Sequence, residues 1–283
     1  MDEFVVGFKV NRQFRHLVAA NFTMEGTGAA VMLGAIFLES RPGMLVGLIL
    51  VALGALVLFM DLGAPDRFWR SVTRPDRSWI SRGSIFLASL MLFGVLYMVF
   101  PMLRDRTIIN IMIGLSALAT MSYTGFLVSS MKAIPFWRSR LVPLLFVLHS
   151  LCSGMLILVF YLALSGAGGL AGGTVMQMVM GLLAAALIMT WVHVKVLATS
   201  SSAARESVRM LLAGNVRLLF LGGALALGLV APLTILTIGL KAGGAAFAGI
   251  WPALAAAVLF RVLGDVSFRL ALLRTGVYEP VLS

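Results

Sequence analysis

The chain has 283 residues, of which 60% are hydrophobic and only 12% charged, with a formal charge of +11; soluble domains run nearer about 45–50% apolar and about 25% charged. With a mean hydropathy of +1.03, this composition excludes soluble domains and reads as one polytopic membrane domain. No Lys/Arg block stands in a polar, aromatic-interleaved segment, so the basic balance does not point to nucleic acid, and the one cysteine, Cys152, rules out an internal disulfide or an iron–sulfur cluster held by this chain alone.

From the N-terminus, the first residues are acidic before they are basic and lack a small-residue cleavage site, so the first apolar run is expected to stay in the protein. Apolar stretches between charged breaks predict eight spans, at 17–38, 43–60, 84–103, 107–131, 141–164, 174–197, 216–240 and 245–273. The expected fold is an all-α bundle of eight transmembrane helices, a single membrane domain with both termini on one face.

That face collects seventeen Lys and Arg residues, Arg74, Arg138 and Arg269 among them, against four on the other. By the positive-inside rule it is cytoplasmic. It also carries the long 61–83 loop, whereas the connections on the other face are short. Part of its charge serves topology and lipid headgroups; the loops would also receive an extrinsic partner.

Polar groups inside spans are costly, about 2.5–3.5 kcal/mol for a charge at a helix centre, and each asks for a reason. At helical rise, Asn21 and His193 lie about 6 Å below the basic face, and Glu25, Tyr123 and His149 about 12 Å below it. Asp61 and Arg82 stand at the mouths of the second and third spans. The opposite half is nearly bare. This depth pattern suits a pocket open to one leaflet, where an amphipathic molecule such as a quinone places its polar ring. Tyr123 or Asn21 would bond its oxygens, and Glu25, Asp61 or His149 would exchange protons. The ordinary alternative for each is a hydrogen bond between helices. Arg261 and Asp265, four residues apart in the last span, are expected to pair, and Lys195 to snorkel. Two other functions compete: a transporter, for which only Asn110, Gln177 and Arg261 extend the polar set, and a single haem between His149 and His193.

The stretch 61–83, DLGAPDRFWRSVTRPDRSWISRG, resembles the segment between the second and third helices of the polysulfide reductase membrane-subunit family (NrfD-like, including dimethyl sulfoxide reductase anchor subunits). Asp61, Leu62, Gly63, Pro65, Trp69, Pro75, Ser78, Trp79, Ser81 and Arg82 carry the pattern; Ala64 and Gly83 depart from it. The stretch 122–154 is similar to the family's fourth and fifth helices and their loop, through Tyr123, Thr124, Gly125, Lys132, Pro135, Phe136, Trp137, Pro143, Leu144, Ser153 and Gly154. The segment from Phe268, FRLALLRTGVYEP, resembles the family's terminal arginine-and-tyrosine segment.

The resemblance implies a membrane anchor that binds menaquinone or ubiquinone and carries no haem. Its partners would be a four-cluster ferredoxin-like iron–sulfur subunit and a molybdopterin-type catalytic subunit holding molybdenum or tungsten. Tyr123 and Asn21 would contact the quinone ring, with Arg82 and His149 beside it. Asn21 stands where the family often has His, which moves proton exchange to Glu25, Asp61 or His149. Arg67, Trp69, Arg70, Arg74, Trp79, Trp137 and Arg138 would form the docking surface, Trp and Arg being enriched where partners bind.

Overall fold

A computed structural model describes residues 9–11, 16–61, 73–104, 107–166, 169–241 and 249–279, with the side chains of Asp61 and residues 169–172 outside the description. The described residues fold into helices: α1 (His16–Phe37), α2 (Arg41–Asp61), α3 (Trp79–Val99), α4 (Thr107–Ser129), α5 (Leu141–Leu164), α6 (Gly169–Ala198), α7 (Ser202–Leu212), α8 (Leu218–Lys241) and α9 (Trp251–Arg274). Six of them, α2 to α6 and α8, are long and apolar enough to cross a membrane. Helices α1 and α9 have similar lengths, 22 and 24 residues, and carry polar or charged side chains in their interior turns.

Most boundaries fall within a few residues of the hydropathy reading. The start of α3 lies five residues before the expected 84. Ser78 caps it by accepting from the Ser81 N–H at 3.3 Å, and a cap sets a helix start whatever the hydropathy of the first turn. Helix α7 lies inside what hydropathy leaves as a loop. Ser201 caps it, and it turns Ala203, Ala204, Ser207, Val208 and Leu211 inward with Arg205 and Arg209 outward. Helix α8 winds as a π-helix over Leu218–Val230 before becoming α-helical. Beside it, α9 comes so close at Gly264 that a side chain there would overlap the backbone of Gly228.

Helix α1 sits centrally, packed against α2, α4, α5 and α9. Small residues permit this closeness: a Cβ on Gly28 would meet the Gly47 carbonyl of α2, and one on Gly154 of α5 would meet Ala30. The two ends of the described chain also meet. Val10 bridges Val277 antiparallel, Asn11 N–H donates to the Gly276 carbonyl at 2.8 Å, and Glu279 N–H donates to Ala133 in the α4–α5 loop at 3.0 Å.

Two expectations fail here. Trp137, expected on the docking surface, is fully buried and donates its indole N–H to the Leu272 carbonyl at 2.8 Å, with its ring against Gly276. It fastens the α4–α5 loop to the end of α9. Arg269, counted with the surface cations, is also fully buried. A helical side chain points back toward the N-terminus of its helix, which for α9 leads inward to Asp265.

Candidate functional site

Asn21 and Glu25 stand one turn apart on α1, and both are buried. The Asn21 amide N–H₂ donates to Glu25 Oε1 at 2.8 Å and to the Gly54 carbonyl of α2 at 2.8 Å. Two acceptors around one nitrogen fix the orientation of the amide. From α4 the Tyr123 hydroxyl donates to the other Glu25 oxygen at 2.5 Å. Helix α3 closes the group at Gly83, where any side chain would collide with the Tyr123 ring; this residue, one of the two departures from the family pattern, is what lets the ring lie against α3. Among the described groups, Asn21 Oδ1 is buried with no hydrogen-bond partner. The free atom is an acceptor, so it suits a hydroxyl, the form that a quinone oxygen takes on reduction. Thr27 and Thr120, whose hydroxyl oxygens are likewise buried without partners, were not singled out by the sequence.

Arg82, next to Gly83, turns away from this group. Its Nε and Nη2 donate to the carbonyls of Pro75 and Asp76 at 2.7 and 2.9 Å, and its guanidinium lies 4.5 Å over the Trp79 ring. Trp79 stacks in turn on Phe126 of α4 at 4.8 Å. In these contacts Arg82 braces the approach to α3 and makes no bond to Tyr123 or Glu25. Asp61 ends α2 two turns beyond Gly54, with its side chain outside the described residues, as are Arg67, Trp69 and Arg70. Arg74 and Arg138 are exposed, and Arg138 borders a surface groove of about 310 Å³ with Ser200, Ser201 and Glu279.

His149 belongs to a second buried group, built on α5, α8 and α9. Arg261 Nη2 donates to His149 Nδ1 and to its carbonyl, both at 3.0 Å, and Nη1 donates to the Gly228 carbonyl of α8 at 3.0 Å. Guanidinium has no acceptor, so Nδ1 must accept, and the ring hydrogen sits on Nε2, which faces Thr190 Oγ1 at 3.4 Å. Asp265 Oδ1 lies 3.7 Å from Arg261, 3.7 Å from His149 Nδ1 and 3.1 Å from Arg269 Nε, and Ser153 donates to Oδ2 at 3.2 Å. The expected Arg261–Asp265 pair is therefore present, but Arg269 is the closer partner. The His149 ring stacks on Phe268 at 3.8 Å.

Both His149 nitrogens are engaged, while His193, against the edge of Phe136, is buried with neither nitrogen bonded. The two imidazoles do not present free nitrogens to one another as a haem pair requires. Among the described residues no group of three or more His, Cys, Asp or Glu is gathered for a metal ion.

The structure thus brings together Asn21, Glu25 and Tyr123 and sets His149 apart from them. No curated protein matches the chain. A family match, described as "Polysulphide reductase, NrfD", runs over residues 37–277; it includes Tyr123, Arg82 and His149, and begins after Asn21 and Glu25. With most of its length matched, the chain belongs to the NrfD polysulphide reductase family, the membrane subunits of redox complexes of that type.

Proposed function

We propose that this subunit binds quinol or quinone beside Asn21, Glu25 and Tyr123 and passes electrons to or from a docked iron–sulfur subunit. A molybdopterin-type catalytic subunit completes the complex. In this reading α1 and α9 join the six apolar helices as spans, giving eight. Both termini and the docking face lie on the cytoplasmic side of a prokaryotic inner membrane, as the distribution of Lys and Arg favours. The meeting of the chain's two ends with the α4–α5 loop supports a common end for all three.

One observation carries the reading: a buried tyrosine hydroxyl and a buried carboxylate bonded to each other, beside an amide oxygen with no partner among the described groups. A reduced ring offers a hydroxyl at each end, and Asn21 and Glu25, bonded to each other at 2.8 Å, would meet the same one: Asn21 Oδ1 would accept there and Glu25 would take up the proton as the ring is oxidised. Oxidation of a quinol would release two electrons, which leave to the docked iron–sulfur subunit, and two protons, of which Glu25 would hold one while the other passes to water at the membrane surface. Tyr123 meets the ring oxygen and steadies Glu25 by the same hydroxyl. The ring itself supplies the redox chemistry.

Docking falls to Arg74, Trp79 and Arg138 in this scheme, with Arg forks suited to partner carboxylates. Tyr123→Phe in the assembled complex should lower quinone-linked electron transfer by about ten-fold or more, the scale of one lost hydrogen bond to a charged group. The complex should remain assembled. Normal turnover in that variant would overturn the proposal.

A further inference from the structure

Two fully buried cations, Arg261 and Arg269, share one close carboxylate, Asp265. Arg269 is held on three sides: Nε by Asp265 at 3.1 Å, Nη2 by the Ser150 hydroxyl at 2.9 Å, and its plane by the Phe146 ring at 4.6 Å. Its remaining nitrogen, Nη1, is buried and bonded to nothing among the described groups. The guanidinium lies against α1 at Gly26, where a Cβ would stand 3.3 Å from Nη2 and collide with the Ser150 hydroxyl. Gly26 follows Glu25 in the chain, so the Arg269 guanidinium lies against the turn of α1 that carries Glu25. Guanidinium does not lose its proton in proteins. Arg269 is therefore a permanent positive charge set into the wall of α1 at Glu25, and donors left unmade in such a place are costly.

We infer that Arg269 is a positioning residue for Glu25, with Asp265 and Ser150 as its anchor and Gly26 as the opening through which its charge reaches the carboxylate. The extension to quinone binding rests on the function proposed above; the effect on Glu25 does not. Arg261 remains 3.7 Å from Asp265 when Arg269 is lost, so Arg269→Gln leaves that pair balanced in charge. Ser150→Ala removes only one anchoring bond.

The test uses the full chain in lipid nanodiscs. Infrared spectroscopy follows the carboxyl band of Glu25, identified by its disappearance in Glu25→Gln. Equilibrium dialysis follows a short-chain naphthoquinone. We expect Arg269→Gln to displace the Glu25 band and weaken naphthoquinone binding about ten-fold or more, a change of about 1.4 kcal/mol in binding free energy. Ser150→Ala should shift the band in the same direction by less, and Arg269→Lys should restore it. An unchanged band in folded Arg269→Gln overturns the inference, and so does an unchanged band in Ser150→Ala if the first variant does not fold. A displaced band together with wild-type protein that binds no naphthoquinone supports the positioning role and overturns the quinone reading.

Discussion

The protein holds two buried polar groups with different constructions. Around Glu25, a single carboxylate collects neutral donors from α1 and α4, and an acceptor on Asn21 is left over. Around Asp265, two guanidinium groups, an imidazole and hydroxyls from α5 surround one carboxylate, and Arg261 also ties the network to the α8 backbone. The second group is crowded with charge and fastens α5, α8 and α9 together. The first is sparse, with bonding capacity free for something else. A buried ion network resists the loss of any member because the charges left behind have no water; a sparse group with one carboxylate and neutral donors is easier to rearrange around a ligand.

The sharpest break in that contrast is Asp265→Asn, which leaves Arg261 and Arg269 without a carboxylate. It should destabilise the chain by about 3–5 kcal/mol, read as a large fall in the thermal unfolding midpoint in detergent. A midpoint near wild type would mean that the network is not what fastens α9. Next comes Gly83→Ala, whose methyl overlaps the Tyr123 ring. Overpacking of this kind costs about 1–3 kcal/mol, and by displacing Tyr123 the variant should lose quinone-linked electron transfer along with stability. Tyr123→Phe removes one hydrogen bond to a buried carboxylate and should cost about 1.5 kcal/mol, the low end for a bond to a charged group, so function falls further than the unfolding midpoint does. His193→Phe should be smallest. The imidazole bonds nothing among the described residues, and replacing an unsatisfied buried polar group by an apolar ring of similar shape should change stability by under about 1 kcal/mol in either direction. A fall in midpoint like that of Asp265→Asn would place His193 in the network after all.

The helices were legible because long apolar runs leave a membrane chain few other choices. Level along the helices was legible too: Asn21, Glu25 and Tyr123, expected within about one turn of one another, do meet. Rotation about the helix axis was not. His149 has nearly the same expected depth as Glu25 and Tyr123, yet it faces Arg261 and Thr190 rather than the tyrosine. Arg269 looked like a surface cation because it lies near a helix end, and only the direction of its side chain takes it to Asp265. Trp137 looked like an interface anchor for a similar reason: a tryptophan in a loop is ambiguous until something is seen beneath it, here Gly276 and the Leu272 carbonyl. Helix α7 escaped because its stabilising pattern is one-sided burial of small residues, which a span-length hydropathy reading averages away.

The central position of α1 has a consequence for how the protein is made. Ribosomal synthesis delivers α1 before α9, yet Gly26 on α1 lies against Arg269 on α9, and Val10 bridges Val277. The Asn21 amide and Glu25 carboxylate therefore find their partners on α2 and α4 first, and Arg269 reaches the same turn only when α9 is in place. Completion of the Glu25 environment is accordingly a late event, and truncation before Arg269 should leave the Asn21–Glu25–Tyr123 group formed but without its cation.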